Sequence, residues 1–599
     1  MRSLKLLTVI LLLLGAAPAT ATAAAGQAYS VTTLHFSVLV GPGGVESCDI
    51  VGDLYLPADA GPGHRVPAIL TTNGFGGSKD DQAGLGRYFA GRDYAVLSYS
   101  GLGFGGSGCK ITLDDPDWDG QAARQLVSFL GGAPGIAYSD AAHTQPVPAL
   151  DAVERDARDH NGNAEAYDPR VGMIGGSYGG EVQFAAASLD PRIDTLIPLI
   201  TWNDLSYSLT PNNTDLRAGV TSDTPGVTKL TWPLLFFTDG ALLDSATGFQ
   251  YDPSRVIGCP NFATDVCPDL ASAGTLGYPT TDTLALLRHA SVSTYTDRVR
   301  VPVLLMQGEN DTLFNLNEAI ATYQALGAQG TPVKMIWQSW GHSGLTPAPG
   351  ELDLSNPDPQ AQYETARVTA WFDHYLAGGP ADTSPGFAYF RDWVPYTGNA
   401  APAYGTAPAY PAGKGVPFYL SGSALVPGTG QIVPGSQSFV TPPAGFPTSS
   451  SGIDAFSANM PPDANLPGTY AAWTSAPLTA PVDVAGQPTL DVRADAPSAA
   501  LSSQTGPGGQ LVLFAKLYDV APDGTESLVH NLIAPARIAD PTGLVHVALP
   551  AIAHQFAAGH AVRVMLASGD LNYRAGLAAT PVTVTTGSSD QVLTLPTVE

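Results

Sequence analysis

The chain has 599 residues, more than one ordinary hydrophobic core can organise, so two or more folding units are expected. Its 44% hydrophobic and 13% charged residues describe a globular protein and exclude an intrinsically disordered one. A formal net charge of -26 gives a surface that repels nucleic acid and anionic membranes, which counts against both as partners.

Residues 1–25 read as a signal peptide. Arg2 and Lys5 make a basic start, Leu6 to Ala17 form an apolar run too short to span a bilayer, and Ala19, Ala21 and Ala23 offer small residues for cleavage. A secreted, extracellular protein follows, with no membrane contact after signal cleavage. Cys48, Cys109, Cys259 and Cys267 fit an oxidising compartment. The short spacing favours a Cys259 to Cys267 staple, which leaves Cys48 for Cys109. Without Cys-x-x-Cys spacing, a tetrahedral metal site is the weaker reading, and no metal is expected.

Tyr29 to Val40 and Asp49 to Leu56 alternate apolar and polar residues, as antiparallel strands with one buried face do. Val66 to Thr72 is a denser strand, followed by Asn73-Gly74-Phe75-Gly76-Gly77. Ser78 with Asp81 three residues on then caps a helix to Phe89, and Tyr94 to Ser100 is the next strand. Alternating dense strands and helices indicate a mostly parallel sheet covered on both faces. Residues 101–106 match Gly-x-Gly-x-x-Gly, yet no helix opens there to receive a pyrophosphate, so the stretch reads as a loop. Asp115 to Gly120 imitates half a calcium loop, but position twelve is Leu126. Asp119 is better read as the cap of a helix from Gln121 to Leu130, and a further helix is expected from Leu150 to Asp159.

The segment from Asp168 to Gly180 carries the strongest local signal. A buried strand, Val171 to Ile174, runs into Gly175-Gly176-Ser177-Tyr178-Gly179 and then a helix-prone stretch. A strand-to-helix turn this tight needs small flanking residues and leaves Ser177 at its apex, the arrangement of a nucleophile elbow. Thr195 to Ile200 is another buried strand. The strand and helix alternation then lapses over 202–297, as expected of an inserted helical cap over a site. It resumes with the strand Val301 to Met306, which ends in Gly308-Glu309-Asn310-Asp311. A helix from Asn315, the strand Val333 to Gln338, and Trp340-Gly341-His342 follow.

A serine that transfers acyl groups needs a base to take its proton and a carboxylate to orient that base. Ser177, Asp311 and His342 each lie just beyond a strand, in the chain order of an α/β-hydrolase. The oxyanion of the reaction needs two donors, for which the backbone N–H groups of Tyr178 and Phe75 are the candidates, with Gly76 as fallback for the second. From Pro385 onward, short β-patterned runs alternate with Gly- and Pro-rich turns, and a hairpin is expected between Val582 to Thr585 and Val592 to Leu595. The expected architecture is α/β: an α/β-hydrolase domain over 26–384 with a cap at 202–297, then an all-β, jelly-roll-like sandwich over 385–599.

These motifs, with Phe514 to Gly524 in the β-domain, resemble the X-Pro dipeptidyl-peptidase and cocaine-esterase superfamily. The resemblance implies a serine hydrolase without cofactor, acting on small-molecule esters, amides or short peptides, with Ser177, Asp311 and His342 as its triad. The α-amino ester hydrolases of that superfamily carry carboxylates two and three residues after the triad acid. Here those positions are Leu313 and Phe314, candidates for an apolar acyl pocket. An Xaa-Pro dipeptidyl-peptidase is the rival reading, and it needs a carboxylate to hold a free amine, for which Asp204 and Glu309 are the candidates. A secreted binding protein on a relict hydrolase fold is the rival of another class.

Overall fold

A computed structural model describes residues 28–243, 253–379, 383–452 and 464–598. The expected signal peptide lies outside the described residues.

The amino-terminal sheet begins with the antiparallel strands β1 (Tyr29–Val40) and β2 (Glu46–Pro57), in register from Tyr29 opposite Pro57 to Val40 opposite Glu46. It continues with β3 (Ala68–Thr72), β4 (Ala95–Tyr99), the two-residue β5 (Ala137–Tyr138), β6 (Val171–Gly176) and β7 (Thr195–Leu199). After a separate small hairpin, β8 (Leu216–Ala218) and β9 (Thr221–Ser222), come β10 (Val303–Gly308), β11 (Val333–Gln338), β12 (Phe387–Phe390) and β13 (Tyr404–Ala407). Across the sheet the order is β13-β12-β11-β10-β7-β6-β3-β4-β2-β1-β5, with parallel pairing from β12 to β4.

The parallel strands are apolar throughout because both faces are covered. Leu70, Leu97 and Met173 pack on the helices Gln121–Leu130, Tyr178–Leu189 and Leu316–Ala328. Their neighbours Ile69, Val96 and Ile174 point the other way, onto the helices Ala83–Ala90 and Tyr363–Tyr375. This is the α/β-hydrolase arrangement, and it puts the ends of β3, β6, β10 and β11 on one edge of the sheet.

Between β7 and β10 lies the cap, with the helices Leu205–Leu209, Thr231–Thr238, Val266–Leu276 and Thr281–His289. Disulfides join Cys259 to Cys267 within it and Cys48 to Cys109 in the body. The second domain builds an 11-stranded sheet around its own core, which includes Trp473, Phe556 and Leu593. A fully buried ion pair, Lys516 Nζ to Asp570 at 2.8 Å, sits inside it. Among the described residues, no helix is long and apolar enough to cross a membrane.

Four expectations are corrected. The first sheet runs past residue 385, because β12 and β13 extend it; an aromatic strand such as Phe387–Phe390 suits either domain, and its pairing partner decides. The stretch 150–159 is not a helix: Val153 bridges to Val66 and Arg155 to Pro169, so its backbone bonds go to the sheet edge. Ser78 and Asp81 do form a capping box, but at the helix Gln121–Leu130 Asp119 is no cap. Asp115 caps the preceding turn, and Asp119 points inward to accept from Thr112 Oγ1. The expected carboxy-terminal hairpin is absent as well. Pro581–Thr586 pairs with Gly435–Val440, while Val592–Val598 pairs with Lys414–Ser421, because the chain changes sheet at the intervening turn. Alternation marks a strand without naming its partner.

Candidate active site

The elbow forms because its glycines allow it. A Cβ at Gly175 would collide with the Gly179 carbonyl, and one at Gly179 with the Thr72 carbonyl, so the strand, turn and helix close on each other with no side chain between. Ser177 is held at φ 58°, left-handed backbone that a non-glycine residue seldom adopts, and its N–H donates to Leu199 O at 2.9 Å.

His342 Nε2 lies 2.8 Å from Ser177 Oγ, and its Nδ1 lies 2.7 Å from Asp311 Oδ2. With the ring proton on Nδ1, the imidazole donates to Asp311 and accepts from the serine hydroxyl. Asp311 is fully buried, and every acceptor it offers is used toward holding this geometry. Its Oδ1 takes the N–H groups of Leu313 (3.0 Å) and Phe314 (2.8 Å), and its Oδ2 also takes the His342 N–H at 3.2 Å. Lys229, from the cap, donates its ammonium to Thr312 O (2.7 Å) and Leu313 O (2.9 Å), tying down the loop after Asp311. Burial pulls that ammonium down to about 8.

The Asn73 to Gly77 loop crosses directly against the elbow. A Cβ at Gly74 would stand 3.6 Å from Gly176 O and 3.7 Å from Ser177 Cβ. Gly76 adopts φ +77°, the backbone conformation that favours glycine, and a Cβ there would also push against the Asp239 carboxylate of the cap, beside the Phe75 N–H.

Over Ser177 opens a cavity of about 940 Å³, counting the space at its mouth, walled by Phe75, Tyr178, Trp202, Phe236, Phe262 and Phe314 and, deeper in the cap, by leucines. Phe314 meets His342 edge to face with ring centroids 5.0 Å apart, and Trp232 does so at 6.0 Å. Leu313 belongs to the same apolar cluster but packs behind the cavity wall. Neither candidate amine anchor faces this space. Asp204 caps a cap helix, accepting from Ser206 N and Thr221 Oγ1, and Glu309 accepts from Phe390 N beneath the sheet edge.

Behind the Tyr178 ring lies the opposite environment. Its phenol oxygen accepts from Asp114 N at 2.9 Å and stands 3.4 Å from Asp119 Oδ2. Asp114, Asp119 and Glu181 are all buried. Burial pushes Asp119 up to about 7; burial and mutual repulsion carry Asp114 and Glu181 well above the carboxylate range. On the surface, Asp115, Asp117 and His289 bring potential metal-ligand atoms within 4.8 Å of one another, as do Asp59, His64 and Asp93. At the first cluster the Asp115 contact lifts His289 to about 9, so at neutral pH it is a protonated ion-pair partner.

Sequence reasoning missed the aromatic wall of the cap. The stretch Thr231-Trp-Pro-Leu-Leu-Phe-Phe-Thr238 could have exposed it, since a helix apolar on every side, inside an insertion with no sheet strand to cover, has to face something apolar.

Residues 46–226 and 277–344 match the family model described as X-Pro dipeptidyl-peptidase (S15 family), and residues 403–592 match its C-terminal non-catalytic domain. Among solved structures, the fold resembles an aminopeptidase from a marine sediment Thaumarchaeota archaeon at TM-score 0.61 and 14% identity, covering 98% of this chain and 99% of that one. A CocE/NonD family hydrolase from Staphylococcus aureus aligns at 0.59 and 13%, covering 94% of each chain. An alpha-amino acid ester hydrolase aligns at 0.57 and 17%, covering 97% of this chain and 98% of that one. These likenesses are of fold. No curated protein sequence matches the chain. Fold and domain matches together define a serine-type hydrolase built on the α/β-hydrolase fold. More narrowly, the chain belongs to the X-Pro dipeptidyl-peptidase (S15) family, with that family's C-terminal domain.

Proposed function

We propose that this protein hydrolyses esters or amides through an acyl-enzyme on Ser177. Ser177 Oγ attacks the carbonyl carbon while His342 Nε2 takes its proton, and Asp311 holds the imidazole and offsets its positive charge. The Tyr178 and Phe75 N–H groups receive the oxyanion. Collapse of the tetrahedral intermediate expels the alcohol or amine, which leaves with the proton from His342. Water, activated by the same nitrogen, then attacks the acyl carbon and frees Ser177.

The observation that carries this reading is the unbroken run of contacts from Asp311 through His342 to Ser177, at 2.7 and 2.8 Å. A fluorophosphonate probe should label the protein, and Ser177→Ala should abolish labelling. Absence of labelling would favour a binding protein on a relict hydrolase fold. Dipeptidyl-peptidase action on Xaa-Pro substrates is the second reading, favoured by the description of the matching family. A side-by-side assay of acyl esters, amides and Xaa-Pro-anilides separates the two, because a dipeptidyl-peptidase turns over the anilides far better.

We also propose export by the 1–25 segment, in keeping with the two disulfides. The division of the mature chain at 384/385 becomes a hydrolase unit reaching Ala407, followed by the β-domain.

A further inference from the structure

Resting on the acyl-enzyme reading, we infer that the group transferred to Ser177 is an uncharged hydrocarbon acyl chain of medium length. The cavity over Ser177 is the acyl site and not the leaving-group site, which follows from its walls. Three substituents surround the reacting carbon. The oxyanion points to the Phe75 and Tyr178 N–H groups, and the leaving group must reach His342 Nε2, which gives it a proton. The cavity is lined by Ser177, Phe75 and Tyr178 but not by His342, on whose ring the lining residue Phe314 packs edge to face at 5.0 Å. It therefore receives the third substituent, the acyl chain.

Size and chemistry of the walls give the class. The cavity is lined from Ser177 and Tyr178 to the helices Val266–Leu276 and Thr281–His289 of the cap, a wall that a two-carbon acetyl group is too short to cover. Its walls are shared between Ser177, Tyr178 and Trp202 on one hand and the cap residues Leu205, Leu209, Leu270, Ala273 and Leu287 on the other. The hydroxyls along it are turned away from a ligand. Thr210 Oγ1 donates to Ser206 O, Thr228 Oγ1 to Ala273 O, and Thr283 Oγ1 to Asp269 Oδ1. Threonines bonded this way present methyl groups to the space. Among the described residues the single lining carboxylate, Asp269, already serves Thr283. A peptide's ammonium and amides would lose their water here and find little to replace it. A hydrocarbon chain loses nothing polar and gains contact along the whole depth.

The chain-length series on the unmodified enzyme tests this. Each methylene buried in the transition state raises kcat/KM about 4-fold, the equivalent of about 0.8 kcal/mol. 4-Nitrophenyl octanoate should therefore exceed the acetate by more than 100-fold in kcat/KM. In Ala273→Phe, which adds bulk to the wall formed by the helix Val266–Leu276, the optimum should move to a shorter acyl chain. Fluorophosphonate labelling of Ser177 is run in parallel and reports whether each protein holds a formed site. Labelling with a flat series, an acetyl optimum, or a preference for Xaa-Pro-anilides overturns the hydrocarbon acyl site and leaves the serine chemistry standing. Loss of labelling in the unmodified protein overturns both. Should Ala273→Phe fail to fold, Leu286→Trp narrows the same cavity from a half-buried position on the helix Thr281–His289, and an unmoved optimum in either labelled variant overturns the assignment.

Discussion

The two sides of Tyr178 are both dry, yet they are built to opposite purposes. Its ring walls an open hydrocarbon cavity, with Phe104 and Phe75 edge to face on it at centroid separations of 5.2 and 6.0 Å. Its hydroxyl reaches into a closed pocket of three buried carboxyl groups. On the open side, exclusion of water strengthens every electrostatic contact made by Ser177, the proposed nucleophile. On the closed side, the same exclusion keeps Asp114 and Glu181 protonated, so no full negative charge from them stands behind the amide proposed as an oxyanion donor. One fixed residue thus separates a region where charge must form from one where it is suppressed.

The largest effects should come from the charge-forming side. Ser177→Ala and His342→Ala are expected to lower kcat on the order of 10⁶-fold, and Asp311→Asn on the order of 10⁴-fold, with the double variants no worse than the single ones. Steady-state kinetics on one ester checks this. Retention of activity in Asp311→Asn combined with its loss in Glu309→Gln would move the acid to Glu309. Next comes the loop proposed to supply the second oxyanion donor. Gly76→Val puts a side chain against Asp239 at a positive φ and must shift the Phe75 N–H, which should cost about 10²–10³-fold in kcat with little change in KM. A KM effect alone would mean that the loop only borders the cavity. Lys229→Met removes two charged hydrogen bonds from the loop that follows Asp311, about 1.5–3 kcal/mol of interaction. A fall of roughly 10-fold in kcat is expected, with partial recovery in Lys229→Arg. Equal losses in both variants would make the lysine a packing element only.

The charge-forming side was the more legible of the two in the sequence, for physical reasons. A nucleophile elbow needs Gly-x-Ser-x-Gly because its backbones touch, and Ser177, Asp311 and His342 fall just after β6, β10 and β11, dense apolar runs that can be read without a partner. The closed side had no such marker. Asp119 stood in a run of acidic residues, Asp114 to Asp119, whose ordinary place is a solvated loop or helix cap, and only the packing of the elbow helix turns it inward. The cavity was half legible: Phe75, Tyr178 and Phe314 were reached through their neighbours in the motif, while Trp202, Phe236 and Phe262 come from a cap whose strands and helices carry no sheet register to place them. The same limit explains the β-domain, where alternation identified strands at 582 and 592 and gave no sign that they join different sheets.

The smallest effect tests the suppressed side. The Asp119 carboxyl has an ordinary value near 3.8 and is held at about 7 in the folded protein, chiefly by burial. Below pH 4 it is protonated whether the chain is folded or not, and it contributes no pH dependence. Between about pH 4 and 7 the unfolded chain gives up this proton while the folded protein keeps it, so stability falls as pH rises. Above about 7 the loss is complete, and for this group by itself it amounts to about 4 kcal/mol. Asp119→Asn keeps an oxygen for the Thr112 hydroxyl and removes the titration. The melting temperature of the variant relative to the unmodified protein should rise by a few degrees between pH 5 and pH 8, as followed by circular dichroism. An unchanged difference between the two pH values would show that the loss of stability arises from Asp114 and Glu181, and the charge-free state behind Tyr178 would then belong to those two groups and not to all three.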